Sequence, residues 1–169
     1  MQINMKDNIV AILRGVPGSG KSTWIKEHGV EDYSISLDKL RLMLSNPIKS
    51  PNGYFEINQA VSETAWKLAY EFLKSRMRNG GVTFVDATFM NEYLINFMND
   101  LVCEYKYKLL VIDFSSVGLE EAKRRNHLRR DTIRYVPESV LDKLWQEGAT
   151  TNFGDITKVD YYDVEIIPF

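Results

Sequence analysis

Nine residues, Gly15-Val16-Pro17-Gly18-Ser19-Gly20-Lys21-Ser22-Thr23, follow directly on the apolar run 9–13 and fit the pattern G-x-x-x-x-G-K-[ST]. The pattern restricts the fold sharply, because it needs a buried strand before it and a helix after it. Gly15, Gly18 and Gly20 let backbone N–H groups turn inward around phosphate oxygens without a Cβ in the way. Pro17, Ser19 and Thr23 complete the cradle. Lys21 is placed to reach the β- and γ-phosphates, and the Ser22 hydroxyl to bind Mg²⁺. The following helix directs its positive end at the same phosphates. A bound nucleoside triphosphate, ATP or another, with Mg²⁺ is therefore expected.

The rest of the chain fits such a fold. Periodicity predicts strands at 9–14, 33–37, 82–85, 108–114 and 161–167, alternating with helices at 22–28, 38–45, 55–78, 91–104, 119–129 and from Pro137 to about 147. In the long helix, Ala65, Leu68 and Phe72 form one apolar stripe with Trp66, Ala69 and Leu73 beside it, read as core rather than as a base-stacking platform. Pro47, Pro51 and Asn52-Gly53 mark a loop, and Gly80-Gly81 a helix end. Strands separated by helices imply an α/β architecture, a mostly parallel sheet of about five strands covered on both faces. In such sheets ligands gather at the carboxyl ends of the strands. At 169 residues, 44% of them hydrophobic, a single kinase-sized domain spanning 1–169 is expected and disorder is not. The lone Cys103 excludes an intrachain disulfide and suits a reducing, cytoplasmic compartment. The polar start of the chain offers no signal peptide, and no membrane partner is expected.

Three further features carry chemistry. Asp38 follows the second strand and Arg41 stands three residues on, one turn along a helix. A carboxylate there takes a proton from an attacking hydroxyl while a guanidinium holds an acceptor phosphate. The plainer reading is a capping aspartate with a surface ion pair; position after strand two favours the chemical one. Asp86 ends the third strand, either as a Walker-B-like carboxylate ordering Mg²⁺ or as a turn residue. Thr88 and Asn91 follow at the same edge. The run 123–134 holds six Lys or Arg and one acidic residue in a chain of net charge −2, the density of an arginine lid over donor phosphates. Arg125 and Arg129 are spaced as helical neighbours. His28 and His127 have no metal-ligand spacing.

Together, Gly-x-Pro-Gly-Ser-Gly-Lys-Ser-Thr-Trp, Asp38-x-x-Arg41, Val85-Asp86-Ala87-Thr88 and Arg125-Asn126-x-x-Arg129 before Pro137 resemble the polynucleotide 5′-hydroxyl kinase family, phage type and bacterial RNA-repair module alike. The resemblance covers about residues 9–144. It implies an adenylate-kinase-like P-loop domain with an arginine-rich lid at about 123–137. Lys21 and Ser22 then handle ATP·Mg²⁺, and Asp38 is the general base. Arg41 grips the phosphate 3′ to the acceptor nucleotide, and Arg129 contacts the donor phosphates. The implied acceptors are 5′-hydroxyl ends of DNA or RNA. Phe89 stands where the family often has Asn, and Arg130 and Arg134 follow Arg129, so Arg125, Arg129, Arg130 and Arg134 all remain candidates for the donor contact. With the chain ending at Phe169, a stand-alone or excised kinase is expected. The alternatives are a kinase of a small hydroxyl compound or of a hydroxylated base in phage DNA, and a nucleotide-dependent binding module.

Overall fold

Ile9–Arg14 places apolar side chains on both of its faces for five successive residues, which suits a strand covered from both sides. In the computed structural model, which describes residues 1–51 and 53–169, it is the central strand. Taking β1 as Gln2–Asn4, the chain continues with β2 (Ile9–Arg14), α1 (Lys21–Glu27), β3 (Ser34–Ser36), α2 (Leu37–Leu44), β4 (Ile48–Lys49) and β5 (Phe55–Glu56). There follow α3 (Ser62–Asn79), β6 (Thr83–Asp86), α4 (Glu92–Glu104), β7 (Lys108–Asp113), α5 (Leu119–His127), α6 (Glu138–Ala149), β8 (Thr157–Asp160) and β9 (Glu165–Ile167). The main sheet is parallel throughout, in the order β3-β6-β2-β7-β8.

Alternation along β2 feeds two cores. Val10 and Ile12 pack with residues of α2, α3 and α4, including Leu40, Leu73 and Met98. Ala11 and Leu13 pack on the other side with Trp24 and Ile25 of α1 and with Phe84, Ile112 and Phe114. The expected five-stranded α/β sheet with helices on both faces is present.

Several expected boundaries move. The long helix begins at Ser62 rather than at residue 55: the Asn58 side chain accepts from the Ala60 N–H in a tight turn, and Phe55–Glu56 pairs with Ile48–Lys49 as a small antiparallel hairpin. Asn52 of the expected Asn52-Gly53 loop lies outside the described residues. The buried stripe of α3 is Ala65, Ala69, Leu73 and Met77, whereas Leu68 and Phe72 are exposed. The two small alanines let α3 sit close to the sheet, and that choice turns the other line outward.

The fifth strand is Thr157–Asp160, not 161–167. It is a polar edge strand with no apolar run to betray it. Residues 161–163 make a 3₁₀ turn, and Glu165–Ile167 pairs with Gln2–Asn4 outside the main sheet. Pro137 caps α6 from outside rather than occupying its first turn, and α5 stops at His127, leaving Arg129 in the turns beyond it. Among the described residues no helix is long and apolar enough to cross a membrane.

Candidate active site

The glycine-rich segment leaves the carboxyl end of β2 and enters α1 at Lys21. Gly18 (φ 89°) has the Ala122 carbonyl 2.4 Å from where a Cβ would stand, and Gly20 (φ 100°) precedes the helix in the left-handed region. No other residue allows that backbone path at that closeness to α5. Residues 17–23 line a cleft of about 970 Å³ at the carboxyl edge of the sheet, while Gly15 stays behind them and offers its carbonyl to Lys21.

Lys21 is buried, and its ammonium donates to the carbonyls of Gly15 (2.6 Å) and Val16 (3.1 Å). Burial lowers its pKa to about 8; Asp86 and Asp38 oppose the drop and Arg129 adds to it. The Ser22 hydroxyl donates to Asp86 Oδ2 at 2.9 Å. Loop hydroxyl and strand-end carboxylate thus meet at one point, a pair of hard oxygen donors of the kind Mg²⁺ takes alongside phosphate and water. No cluster of three or more His, Cys, Asp or Glu side chains suited to a metal occurs among the described residues, so phosphate and water would supply the remaining ligands.

Asp38 and Arg41 lie across the same cleft. Asp38 is not the cap of α2; the Ser36 hydroxyl fills that place by accepting from Lys39 N–H. The expected i,i+3 contact exists, with Arg41 Nη1 2.8 Å from Asp38 Oδ1. Arg41 Nε donates to Ser62 Oγ (2.9 Å), whose hydroxyl in turn donates to Gln59 Oε1 (3.3 Å). Ser62 opens α3 and holds the arginine from the side opposite Asp38. Sequence reading missed it, since a lone serine at a helix start carries no signal beyond a cap. Arg134 Nη1 approaches Asp38 Oδ2 at 3.9 Å from the turns between α5 and α6.

Contacts made by residues 123–134 sort the basic run. Lys123 is engaged by Asp142 (2.6 Å), and both Arg124 and Arg125 by Glu121 (2.7 Å each). Their hydrogen bonds hold the Glu121 pKa down to about 2. Arg125, Arg129 and Arg134 line the cleft, and Arg125 hangs over Gly20. Arg130 turns instead to the ring of Tyr54 at 5.9 Å. Arg129 is half-buried, with Nε and Nη2 each 3.4 Å from Asn126 Oδ1. Burial and Arg134 press on its charge, while Asp38 favours it. Asn126 is fully buried and ties the end of α5 to the turns before α6, donating to the Val136 carbonyl (2.7 Å) and accepting from its N–H (3.1 Å). Thr88 lines the cleft and its carbonyl accepts from Gly15 N–H. Asn91 caps α4, His28 bonds back to the Trp24 carbonyl, and His127 is exposed.

A buried pair just behind the loop was also hidden from sequence. Arg14 Nη1 meets Asp113 Oδ1 at 2.9 Å and Nη2 donates to the Gly148 carbonyl at 2.7 Å, tying β2 to β7 and to α6. Burial raises the Asp113 pKa, but Arg14 and Ser115 outweigh it and leave it lowered.

Residues 10–147 match the AAA domain family. No curated protein matches the chain. Among solved structures, Chaetomium thermophilum Kti12 in complex with ADP-AlF3 is 16% identical, with a TM-score of 0.60 over 95% of this chain and 89% of that one. A gluconokinase from Sinorhizobium meliloti 1021 is 16% identical, with a TM-score of 0.55 over 94% and 83%. A chain of the Pnkp1/Rnl/Hen1 complex is 25% identical, with a TM-score of 0.56 over 71% of this chain and only 39% of that one. The fold is that of a P-loop kinase, a fold that implies nucleotide binding.

Proposed function

The chain belongs to the AAA domain family over residues 10–147, and on that premise we propose that it is an ATP-dependent kinase acting on 5′-hydroxyl ends of DNA or RNA. One observation carries the reading: a carboxylate, Asp38, stands between two arginines, Arg41 and Arg134, in the same cleft as Lys21 and the Ser22–Asp86 pair. A hydrolase needs no cationic grip on a second substrate at that place; a transferase to an anionic acceptor does. The 25% identity to a chain of the Pnkp1/Rnl/Hen1 complex supports a nucleic-acid acceptor.

In this reading residues 1–169 act as one kinase domain with its lid at about 123–137. Lys21, Arg125 and Arg129 neutralise donor phosphate charge as it moves toward the leaving oxygen. Ser22 and Asp86 would hold Mg²⁺, which when bound offsets the charge of the phosphates. The acceptor oxygen bonds to the γ-phosphorus, the bond to the β,γ-bridging oxygen breaks, and the hydroxyl proton passes to Asp38. Arg41, fixed between Asp38 and Ser62, holds the phosphate 3′ to the acceptor nucleotide.

The test is acceptor preference. A nucleoside 3′-monophosphate should be phosphorylated better than the bare nucleoside by roughly 10- to 150-fold in kcat/KM, since a charged hydrogen bond contributes about 1.5–3 kcal/mol. Arg41→Ala should erase most of that preference and leave ATP affinity unchanged. Equal use of both acceptors by the wild type would overturn the polynucleotide reading in favour of a kinase of small hydroxyl compounds.

A further inference from the structure

Trp66 sits on the apolar line of α3 that periodicity assigns to the core, yet it is only half-buried and lines the same cleft as Asp38 and Arg41. Its indole is braced from behind. Tyr70 stacks on it (centroids 5.4 Å, 28° between planes) and Phe89 meets it edge-on (6.0 Å, 78°). Phe89 is fully buried and holds φ at 46°, a left-handed backbone that bulky L-residues rarely adopt. An unfavourable backbone kept for a ring that touches Trp66 is what a preorganised wall looks like.

The same helix sets the wall's distance from the phosphate grip. Ser62, which holds Arg41, and Trp66 are four residues apart on α3, hence on one face and about 6 Å apart along its axis. One nucleotide bridges such a distance between its phosphate and its base. Gln59, which accepts from Ser62, and Glu56 line the same cleft as polar groups.

We propose that Trp66 is the platform on which the base of the 5′-terminal acceptor nucleotide stacks, with Phe89 and Tyr70 as positioning residues behind it. This rests on the 5′-hydroxyl kinase reading above. The core alternative leaves the indole without a ligand and predicts no dependence on the acceptor base.

The experiment compares two oligonucleotides with free 5′-hydroxyls, identical except that the first residue carries adenine in one and a stable abasic sugar in the other. Transfer of labelled γ-phosphate should favour the base-bearing acceptor by about 5- to 150-fold in kcat/KM, the usual range for a base stacked on an aromatic side chain. Trp66→Leu should abolish most of that preference and Trp66→Phe should keep part of it, with ATP affinity unchanged in both. Equal use of the two oligonucleotides by the wild type overturns the platform, and that arm needs no variant to fold. A preference that survives in Trp66→Leu overturns it as well. No transfer to either oligonucleotide overturns the kinase reading itself, and the platform with it.

Discussion

Lys21 and Asp38 illustrate how much a single side chain's surroundings decide. Lys21 is buried, so its charge is disfavoured until an anion arrives. With a pKa of about 8 in the free protein, a fraction of the molecules near pH 8 carry it neutral. Phosphate oxygens beside it favour the ammonium, so nucleotide binding must draw a proton from solution. Titrating ATP near pH 8 in buffers of different ionisation heat should register net proton uptake of a fraction of a proton, smaller in Lys21→Met. Asp38 is held by Arg41 and approached by Arg134, and Asn at that place keeps a hydrogen-bonding acceptor while losing the base. Asp38→Asn should bind ATP normally and lower kcat by about 10²–10⁴-fold, the usual worth of a general base. Wild-type turnover in rapid-quench assays would reduce Asp38 to an ion-pair partner.

At the scale of elements, the turns between α5 and α6 depend on one buried amide. Asn126, at the end of α5, satisfies both backbone groups of Val136 and also accepts from Arg129. Replacing it with Ala strands a half-buried donor and acceptor on Val136, at a cost of about 1 kcal/mol or more. Arg129 makes only long contacts to Asn126 and is half-buried, so Arg129→Ala should cost less stability than Asn126→Ala. Turnover should rank the other way if Arg129 meets the donor phosphates, with Arg129→Ala the slower enzyme. Chemical denaturation and steady-state rates on the two variants decide the order. The basic run was legible as a cluster, but not its division: Lys123 is drawn to Asp142, which belongs to another helix, while Arg125, Arg129 and Arg134 line the cleft.

Across the whole molecule, the sheet's carboxyl edge is held together by charge as well as by apolar packing. Arg14 and Asp113 lie on adjacent strands, four and one per cent exposed, and Arg14 also reaches the end of α6. Arg14→Leu leaves Asp113 with Lys158 and Ser115 alone, and should lose roughly 3 kcal/mol, the low end for breaking a buried pair. Denaturant midpoints measure this directly, and a change under about 1 kcal/mol would mean that Lys158 suffices. Because α6 follows the lid, the same variant should also weaken nucleotide binding.

The amino-acid sequence by itself determined what depends on local order: the strand–loop–helix of the phosphate cradle, the one-turn spacing of Asp38 and Arg41, and the apolar runs of the central strands. Those features need only neighbours along the chain and short-range sterics. Tertiary structure decided the rest. A polar edge strand at Thr157–Asp160 has no signature of its own and exists because β7 offers it hydrogen bonds. Trp66 and Leu73 look alike in periodicity and share a face of α3, yet one lines the cleft and the other the core, because they stand about 10 Å apart along the helix axis and the cleft lies at the Trp66 end. Ser22 and Asp86 are 64 residues apart in sequence and 2.9 Å apart in space because β2 and β6 are parallel neighbours, a pairing set by burial of both sheet faces.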